Sequence, residues 1–186
     1  TDAKGLNTAI KRAESVYGPT DLLINNAGVM LLGDITTQDE LEWQTMLQTN
    51  IIGVLNGMKA VLPQMKKRQG GTIINVSSIA GFKAFVDHAA YAATKFGVHG
   101  LTETIRQEVA DSNVRVSLIS PGAAETELLT HVTNEKSLTD YLGWKESMGG
   151  LTLDPIKVAE SIDFIYSMPQ EVTIREIAIA ATKQQA

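Results

Sequence analysis

The sequence predicts an α/β fold in which helices cover both faces of a doubly wound parallel sheet. Short apolar runs of the length of buried strands alternate with segments whose apolar residues repeat every three or four positions. Strands that alternate with helices pair in parallel through right-handed crossovers. The pattern has no internal repeat, and the length of 186 residues fits one three-layer domain over residues 1–186.

Helices are predicted from apolar spacing, capping residues and stop signals. They cover residues 2–16, 37–48, 51–67, 89–111 and 155–167. Two overlapping capping boxes mark the start of the second helix, because Thr36 precedes Asp39 and Thr37 precedes Glu40 by three residues. Pro63 is expected to bend the third helix, which is apolar on two sides.

Strands are predicted where short apolar runs end in turn residues. They cover residues 21–25, 72–76, 114–119 and 172–180. The first is expected to be buried on both faces, because Leu22, Leu23 and Ile24 are apolar at consecutive positions. Residues 123–153 have weak periodicity and several Thr and Gly residues, so they are predicted to form a lid or binding loop.

Composition and charge narrow the classes of function. A net charge of -5 at pH 7 argues against nucleic acid or an anionic membrane as the main partner. The absence of cysteine excludes disulfides and thiol chemistry. No apolar run approaches the roughly 20 residues that span a bilayer, and the first residues lack the apolar centre of a signal peptide. We expect a cytoplasmic protein with no metal site, since His88, His99 and His131 are scattered.

The stretch from Ser78 to Lys95 carries the clearest chemistry. Tyr91 and Lys95 are four residues apart, so on a helix they lie on one face. A phenol has an ordinary pKa of about 10, and a neighbouring ammonium lowers that pKa by favouring the phenolate. Tyr91 is therefore a candidate proton donor or acceptor near neutral pH. The spacing alone is weak support, because such pairs occur by chance on many helices.

Three further segments converge on the same place in the predicted fold. Ser78, the run Asn25-Asn26-Ala27-Gly28 and the pair Pro121-Gly122 each follow a predicted strand. The carboxyl ends of parallel strands form the sheet edge at which ligands bind. The convergence predicts a ligand site that includes Tyr91.

In this order and spacing, the segments resemble the short-chain dehydrogenase/reductase family along essentially the whole chain. The motifs are Asn25-Asn26-Ala27-Gly28, Asn50 in TNIIGV, Ser78 in NVSSIAG, Tyr91-Ala92-Ala93-Thr94-Lys95, and Pro121-Gly122 in SPGAAETEL. The resemblance implies a Rossmann-like oxidoreductase that uses NADP or NAD, with NADP favoured. It also implies a small alcohol or carbonyl substrate and assembly as a homodimer or homotetramer.

The resemblance implies four catalytic residues. Tyr91 would pass a proton to or from the substrate oxygen while hydride moves between substrate carbon and nicotinamide. Lys95 would lower the pKa of Tyr91 and bind the nicotinamide ribose, and Ser78 would hold the carbonyl oxygen. Asn50 would anchor a water that links Lys95 to solvent, unless it is only a helix-bend asparagine. The family spacing selects Ser78 over Ser77, whose side chain is expected to point the other way.

The cofactor-binding residues implied by the resemblance come from three strand ends. Tyr91 and Lys95 contribute to this set in addition to their catalytic roles. The remaining members are Asn25, Ala27 and Gly28 on the adenosine side of the cofactor, and Pro121, Gly122 and Thr126 at its nicotinamide. Thr126 could equally be a plain helix N-cap, and the Asn25 segment could be a stabilising turn.

Aromatic and histidine residues are mostly assigned to packing. Trp43 and Trp144 are expected in the core, while Phe82 and Phe85 flank the site and could shape a substrate pocket. The ending over residues 174–179 resembles a bacterial subgroup that includes 3-hydroxy acid dehydrogenases using NADP. That likeness is a lead on substrate and no more.

One family feature has no match in this sequence. Family members begin with a strand and a Gly-rich turn that holds the cofactor pyrophosphate at a helix N-terminus. We expect that segment to belong to a longer protein of which these residues are the C-terminal two-thirds, because the apolar strand 21–25 needs a neighbour. The alternatives are a truncated, non-catalytic relative that acts as a dimerising or regulatory module, and a sugar-nucleotide epimerase or dehydratase.

Overall fold

A four-stranded parallel sheet forms the centre of the computed structural model, which describes residues 2–150 and 152–184. The strands are β1 (Leu22–Asn25), β2 (Thr72–Val76), β3 (Arg115–Pro121) and β4 (Glu176–Ile179), side by side in that order. The helices are α1 (Ala3–Tyr17), α2 (Glu40–Leu47), α3 (Gly53–Arg68), α4 (Ala89–Glu108), α5 (Glu135–Ser147) and α6 (Pro155–Ser167). This confirms the predicted α/β class and the order of its elements.

The side chains of β2 and β3 alternate between two separate cores. Ile73 and Val116 pack with buried residues of α3 and α4, whereas Ile74 and Ile119 pack on the opposite face against Ile165 of α6. Successive strand residues point to opposite faces, so strands covered on both faces need apolar residues at nearly every position. The three-layer arrangement brings the carboxyl ends of β1, β2 and β3 to one edge.

The prediction that residues 21–25 are buried on both faces is wrong for the described residues. There β1 is the edge of the sheet and pairs only with β2, from Leu22 opposite Thr72 to Asn25 opposite Asn75. Ile24 is consequently 41% exposed. The strand is apolar as expected, but one of its sides has no neighbour in this part of the chain.

The second and third predicted helices are parts of one helical segment. A π-helical turn over Gln48–Ile52 joins α2 to α3, and Pro63 lies inside α3. The helix α2 starts later than the capping boxes suggested, because Asp39 is its N-cap while Thr36 binds the carboxylate of Asp34. The competing turn around Asp34 uses the Thr36 side chain that the capping box required.

The segment 123–153 is more regular than predicted. It contains a short 3₁₀ helix over Glu127–His131 and the helix α5, capped by Asn134. The apolar residues of α5 are too few for a clear 3.6-residue period, which is why the pattern suggested a loop. The strand boundaries also differ, since β3 extends to Pro121 and β4 begins only at Glu176.

A buried arginine fixes α6 on the sheet. Arg115 of β3 donates to the carbonyl oxygens of Tyr166 and Met168, at 3.0 and 2.7 Å, at the end of that helix, and to Thr72 Oγ1 at 2.9 Å. The last carbonyls of a helix lack partners within the helix and carry partial negative charge. One guanidinium therefore caps α6.

No helix of the described part is long and apolar enough to cross a membrane.

Candidate active site

Tyr91 lies at the carboxyl edge of the sheet, in the first turn of α4. Tyr91 is 5% exposed, and its phenol lies beside the side chain of Ser78, the second residue after β2. Helical side chains lean toward the helix N-terminus, so a tyrosine at the start of α4 reaches back to the strand ends. The predicted convergence of Ser78 and Tyr91 is present in the structure.

The two adjacent serines have different contacts. Ser78 has extended backbone angles and its Oγ accepts a hydrogen bond from Ala80 N at 3.1 Å, which leaves its hydroxyl proton for Tyr91. Ser77 is buried and donates instead to the main-chain carbonyl of Lys95 at 3.2 Å. Both serines line the cavity, with Ser78 at the phenol and Ser77 supporting α4, and the catalytic role of Ser78 stays a prediction.

Lys95 lies one turn after Tyr91 on the same helix. Its Nζ is 5.7 Å from the centroid of the Tyr91 ring and donates to the carbonyl of Val76 at 3.1 Å. Burial lowers the pKa of Lys95 to about 8. At pH 7 the group is still mostly an ammonium, held next to the phenol.

The pKa of Tyr91 moves in the direction opposite to the one expected. Burial raises it above the ordinary value of a phenol, and the hydrogen bond from Ser78 acts in the other direction but is smaller. Lys95 was expected to lower this pKa by its charge, yet burial of the phenol dominates. In the absence of other groups, Tyr91 is a protonated hydroxyl that can donate.

Asn50 is buried inside the π-helical turn and all of its side-chain hydrogens are used. Its Nδ2 donates to the carbonyl of Val29 at 2.9 Å and to Thr94 Oγ1 at 3.1 Å, and its Oδ1 accepts from Val29 N at 2.9 Å. Thr94 in turn donates to the carbonyl of Tyr91 at 2.7 Å. The side chain acts as a bend asparagine that ties three segments together, and its catalytic role stays a prediction.

Asn25 is placed differently from the prediction. Its side chain donates to Asn75 Oδ1 at 2.8 Å, inside the sheet, and does not line the large cavity beside Tyr91. A Cβ on Gly57 would stand 2.3 Å from Asn25 Oδ1, so this helical glycine makes room for the carboxamide. The adjacent Asn26 lines the large cavity instead. Successive side chains at the strand end point to opposite sides, so Asn26 faces the cavity in place of the predicted Asn25.

The other predicted cofactor residues do line the cavity. Gly28 approaches the site closely, since a Cβ there would lie 3.2 Å from Asn50 Oδ1 and 3.7 Å from Lys95 Nζ. Ala27, Pro121, Gly122 and Thr126 belong to the same lining. Thr126 also caps the short helix that follows it, as its Oγ1 accepts from Leu128 N at 3.3 Å.

The cavity measures about 1020 Å³, and Tyr91 is one of its lining residues. One side is formed by the strand ends and by α6. The other side is formed by the loop before α4, the short helix after Thr126 and α5. From that second side come Phe85, His88, Tyr141 and Trp144. Such a volume accommodates a ligand larger than a single small metabolite.

A comparison with known proteins identifies the family. The model of the short chain dehydrogenase family matches residues 1–137, which is most of the chain. The chain belongs to the short-chain dehydrogenases.

Relatives and solved structures agree with this assignment. An uncharacterized oxidoreductase of Staphylococcus saprophyticus is 36% identical over 181 residues, covering 96% of this chain and 72% of that protein. A closed form of serine dehydrogenase complexed with NADP+ superposes with a TM-score of 0.84 at 28% identity, over 97% of this chain and 74% of that one. A gluconate 5-dehydrogenase from Burkholderia cenocepacia, in complex with NADP and tartrate, gives 0.81 at 26% identity, over 96% and 70%.

The cavity of this short-chain dehydrogenase fits the nicotinamide half of a dinucleotide. Gly28 lets the main chain pass close to Lys95 Nζ, a donor that could meet ribose hydroxyls, and Pro121 and Gly122 line the same cavity. Lys95 is the only lysine or arginine among the described lining residues, so partners for the phosphates are not found in this part of the wall. No cluster of three or more metal-ligating side chains occurs among residues 2–150 and 152–184.

Sequence reasoning missed several residues of the site. His88, His131 and Trp144 line the cavity although they were assigned to surface or packing. Phe82, expected near the substrate, instead lies edge-on against His99, with ring centroids 5.9 Å apart. These residues come from loops and from α5, where the sequence has no motif and only the fold determines direction.

The C-terminal tail adds another unpredicted contact to the wall. Gln184 Oε1 accepts a hydrogen bond from Ala123 N at 2.9 Å. A Cβ on Gly122 would lie only 2.2 Å from that oxygen, so Gly122 leaves room for the glutamine side chain. The tail therefore supports the segment after β3 that faces Tyr91.

Proposed function

We propose that this protein is an NADP-dependent oxidoreductase that interconverts a secondary alcohol and a ketone, with Tyr91 as its acid and base. The observation that carries the proposal is the placement of Ser78 beside Tyr91 at the wall of a large cavity, with the Lys95 ammonium 5.7 Å from the centroid of the phenol ring. The choice of NADP over NAD is supported by the two solved structures named above, both complexed with NADP.

In the reducing direction, Tyr91 donates its hydroxyl proton to the carbonyl oxygen of the substrate. The Ser78 hydroxyl, which faces Tyr91 when no substrate is bound, would turn to donate to that oxygen, so the carbonyl is polarised before the proton moves. The negative charge then left on Tyr91 lies 5.7 Å, measured at the ring centroid, from the Lys95 ammonium, which stabilises the phenolate. In the oxidising direction Tyr91 takes the proton from the alcohol.

The nicotinamide cofactor supplies or accepts the hydride when it is bound. On this chain, Pro121, Gly122 and Thr126 would surround its nicotinamide half, and Ala27 and Gly28 would line the cofactor on its adenosine side. Lys95 would donate to the ribose hydroxyls. Asn50 supports this site by fixing Val29, the residue after Gly28.

The test of this function is the loss of turnover in Tyr91→Phe. Nicotinamide absorbance at 340 nm is followed with a panel of ketones and secondary alcohols, and the variant is expected to lose about 100-fold or more of kcat/KM because general acid–base catalysis is lost. Tyr17→Phe is the matched control, since that tyrosine is 88% exposed on α1. Equal turnover by Tyr91→Phe and the unmodified protein would exclude the proposed role.

A non-catalytic, dimerising relative is the second candidate. It is favoured by the scarcity of cationic side chains at the cavity, where a phosphate would need them. Intact-mass measurement and titration with NADPH, read by nucleotide fluorescence, separate the two. A mass near the 20.1 kDa of these residues together with no nucleotide binding would support the second candidate.

The active form is proposed to be a homodimer or homotetramer in the cytoplasm. The helices α3 and α4 bury one face against the sheet, yet Leu55 is 38% and Phe96 48% exposed on them. Exposed apolar side chains on helices already packed on one side suit a second helix pair as a partner. Light scattering that gives the mass of a monomer at micromolar concentration would contradict the assembly.

A further inference from the structure

The half of the cavity formed by the loop before α4 and by α5 is walled by aromatic rings. Tyr141 and Trp144 have ring centroids 5.3 Å apart, and Phe85 lies 6.2 Å from Trp144. His88 lies between this group and Tyr91. Its ring centroid is 6.2 Å from that of Tyr141 and 6.1 Å from that of Tyr91. We call Phe85, His88, Tyr141 and Trp144 the aromatic wall. An aromatic ring of a ligand beside this wall can pack against it edge-to-face or in an offset stack.

Leucines complete this half of the cavity. Leu128 and Leu129, from the short helix after Thr126, line the cavity and belong to the same apolar cluster as Phe85 and Tyr141. The surface offered next to the reacting oxygen is therefore mostly apolar. Burial of an apolar substituent there is favourable, whereas a charged one would lose its hydration.

The charged side chains around the cavity are mainly acidic. Asp87, Glu127 and Asp140 line it, and Lys95 is the one lysine or arginine among its described lining residues. Lys95 Nζ is already bound to the carbonyl of Val76 beside the phenol. Asp140 is paired with Lys136 at 2.8 Å, which leaves Asp87 and Glu127 as the acidic groups of the lining. A substrate carboxylate would meet these like charges, while the Lys95 ammonium is placed for the phenol and the ribose, and this costs affinity.

His88 does not supply the missing positive charge. Burial lowers the pKa of His88, which makes the ring mostly neutral at pH 7. Its Nδ1 lies 2.6 Å from the carbonyl of Val86, an acceptor, so that nitrogen carries the hydrogen. Asp87 is also engaged, as it accepts from Ser137 Oγ at 2.9 Å. The wall therefore presents rings without a cation.

We propose that the substrate of this site is an uncharged ketone or secondary alcohol that carries an aromatic ring, and that carboxylate-bearing substrates are disfavoured. The substrate class rests on the proposed function, because the ring is placed relative to Tyr91 as the proton donor. It disagrees with the lead toward 3-hydroxy acids given by the ending of the sequence.

Binding in the absence of cofactor tests the substrate class directly. A Trp43→Phe variant leaves Trp144 as the only tryptophan, and Trp43 lies outside the cavity, where it donates to Gln38. Its fluorescence is titrated with 4-phenyl-2-butanone, methyl levulinate and levulinate. We expect 4-phenyl-2-butanone to quench Trp144 and to bind about tenfold more tightly than levulinate, with methyl levulinate between them.

Two substitutions in the wall and one at its rim assign the effect to these residues. Calorimetric titration of Trp144→Leu should show about tenfold weaker binding of 4-phenyl-2-butanone, with methyl levulinate changed by no more than about twofold. Tyr141→Leu is expected to act in the same way and serves if Trp144→Leu fails to fold by circular dichroism. Asp140→Arg should increase the affinity for levulinate, since it places a cation at an exposed position of the lining.

The outcomes separate the substrate class from the reaction. Preferential binding of the aryl ketone with no turnover of any ketone by the NADPH-supplied protein would refute the proposed function and support the substrate class. Turnover of levulinate with a higher kcat/KM than 4-phenyl-2-butanone would support the function and overturn the class. Equal affinity for the three ketones, or binding of none of them, overturns the class as well.

Discussion

Asn50 binds both main-chain polar groups of Val29 through a single carboxamide, with each hydrogen bond 2.9 Å long. The geometry resembles the pairing of two strands, except that one partner is a side chain inside a π-helical turn. The segment that follows β1 runs past Gly28, whose missing side chain lets the backbone approach Asn50 and Lys95. The π-helical turn therefore fixes the floor of the cavity next to Lys95.

Replacing Asn50 by Ala is expected to lower the free energy of unfolding by about 1–3 kcal/mol, because two partly buried main-chain groups of Val29 lose their partner. Urea denaturation followed by circular dichroism measures the change. Asn7→Ala is the control, since Asn7 is exposed on α1 and bonds only a carbonyl of its own helix. A loss no larger than that of Asn7→Ala would show that the Val29 clamp contributes little.

The fold was predictable because its signals are local. The strands β2 and β3 each contain a pair of consecutive isoleucine or leucine residues, Ile73-Ile74 and Leu118-Ile119, and Asp154 before Pro155 correctly predicted the cap of α6. The Ser78, Tyr91 and Lys95 constellation was predictable for a similar reason, since it depends on helix periodicity and on the shared edge of parallel strands. The comparisons add the family but do not test the role of each residue.

The remaining features depend on contacts between distant segments. Arg115 belongs to a residue type that is usually exposed, yet its buried guanidinium caps α6, which begins some forty positions later. The aromatic wall forms only when α5 packs over the cavity, and the apolar residues of α5 repeat too irregularly to predict a helix. The pKa of Tyr91 was misjudged because burial, a property of the folded whole, outweighs the neighbouring charge.

Gly57→Ala and Gly100→Ala form a pair with opposite expected effects. Both glycines are inside helices, α3 and α4 respectively. A Cβ on Gly57 would stand 2.3 Å from Asn25 Oδ1 and would displace the Asn25–Asn75 hydrogen bond, so a loss of about 1–3 kcal/mol is expected. Gly100 has nothing within 4 Å of that position, and alanine should stabilise α4 by about 0.5–1 kcal/mol.

Thermal or urea unfolding of the two glycine variants measures both signs under one set of conditions. If Gly57→Ala is as stable as the unmodified protein, the Asn25 carboxamide is not held against α3. Asn25 would then be free to reach the cofactor side, as the sequence had suggested.

Lys95 makes stability depend on pH in a predictable direction. Burial lowers its folded-state pKa to about 8 from the ordinary 10.5. Between these values the unfolded chain binds more protons than the folded one, so this residue makes the free energy of unfolding rise with pH. The cost of burying the charged lysine is complete below about pH 8 and disappears above about pH 10.5. Its size is on the order of 3 kcal/mol.

Lys95→Met removes this titration. The free energy of unfolding of the variant, minus that of the unmodified protein, is expected to be highest near pH 7. This difference should fall by roughly 2–3 kcal/mol by about pH 10.5. Urea unfolding at several pH values in this window measures the difference, which cancels the titrations that both proteins share. Lys11→Met, at an exposed position of α1, controls for the loss of one surface charge. If the free energies of unfolding of Lys95→Met and the unmodified protein change in parallel across this window, burial of the charged lysine has no cost and the prediction is wrong.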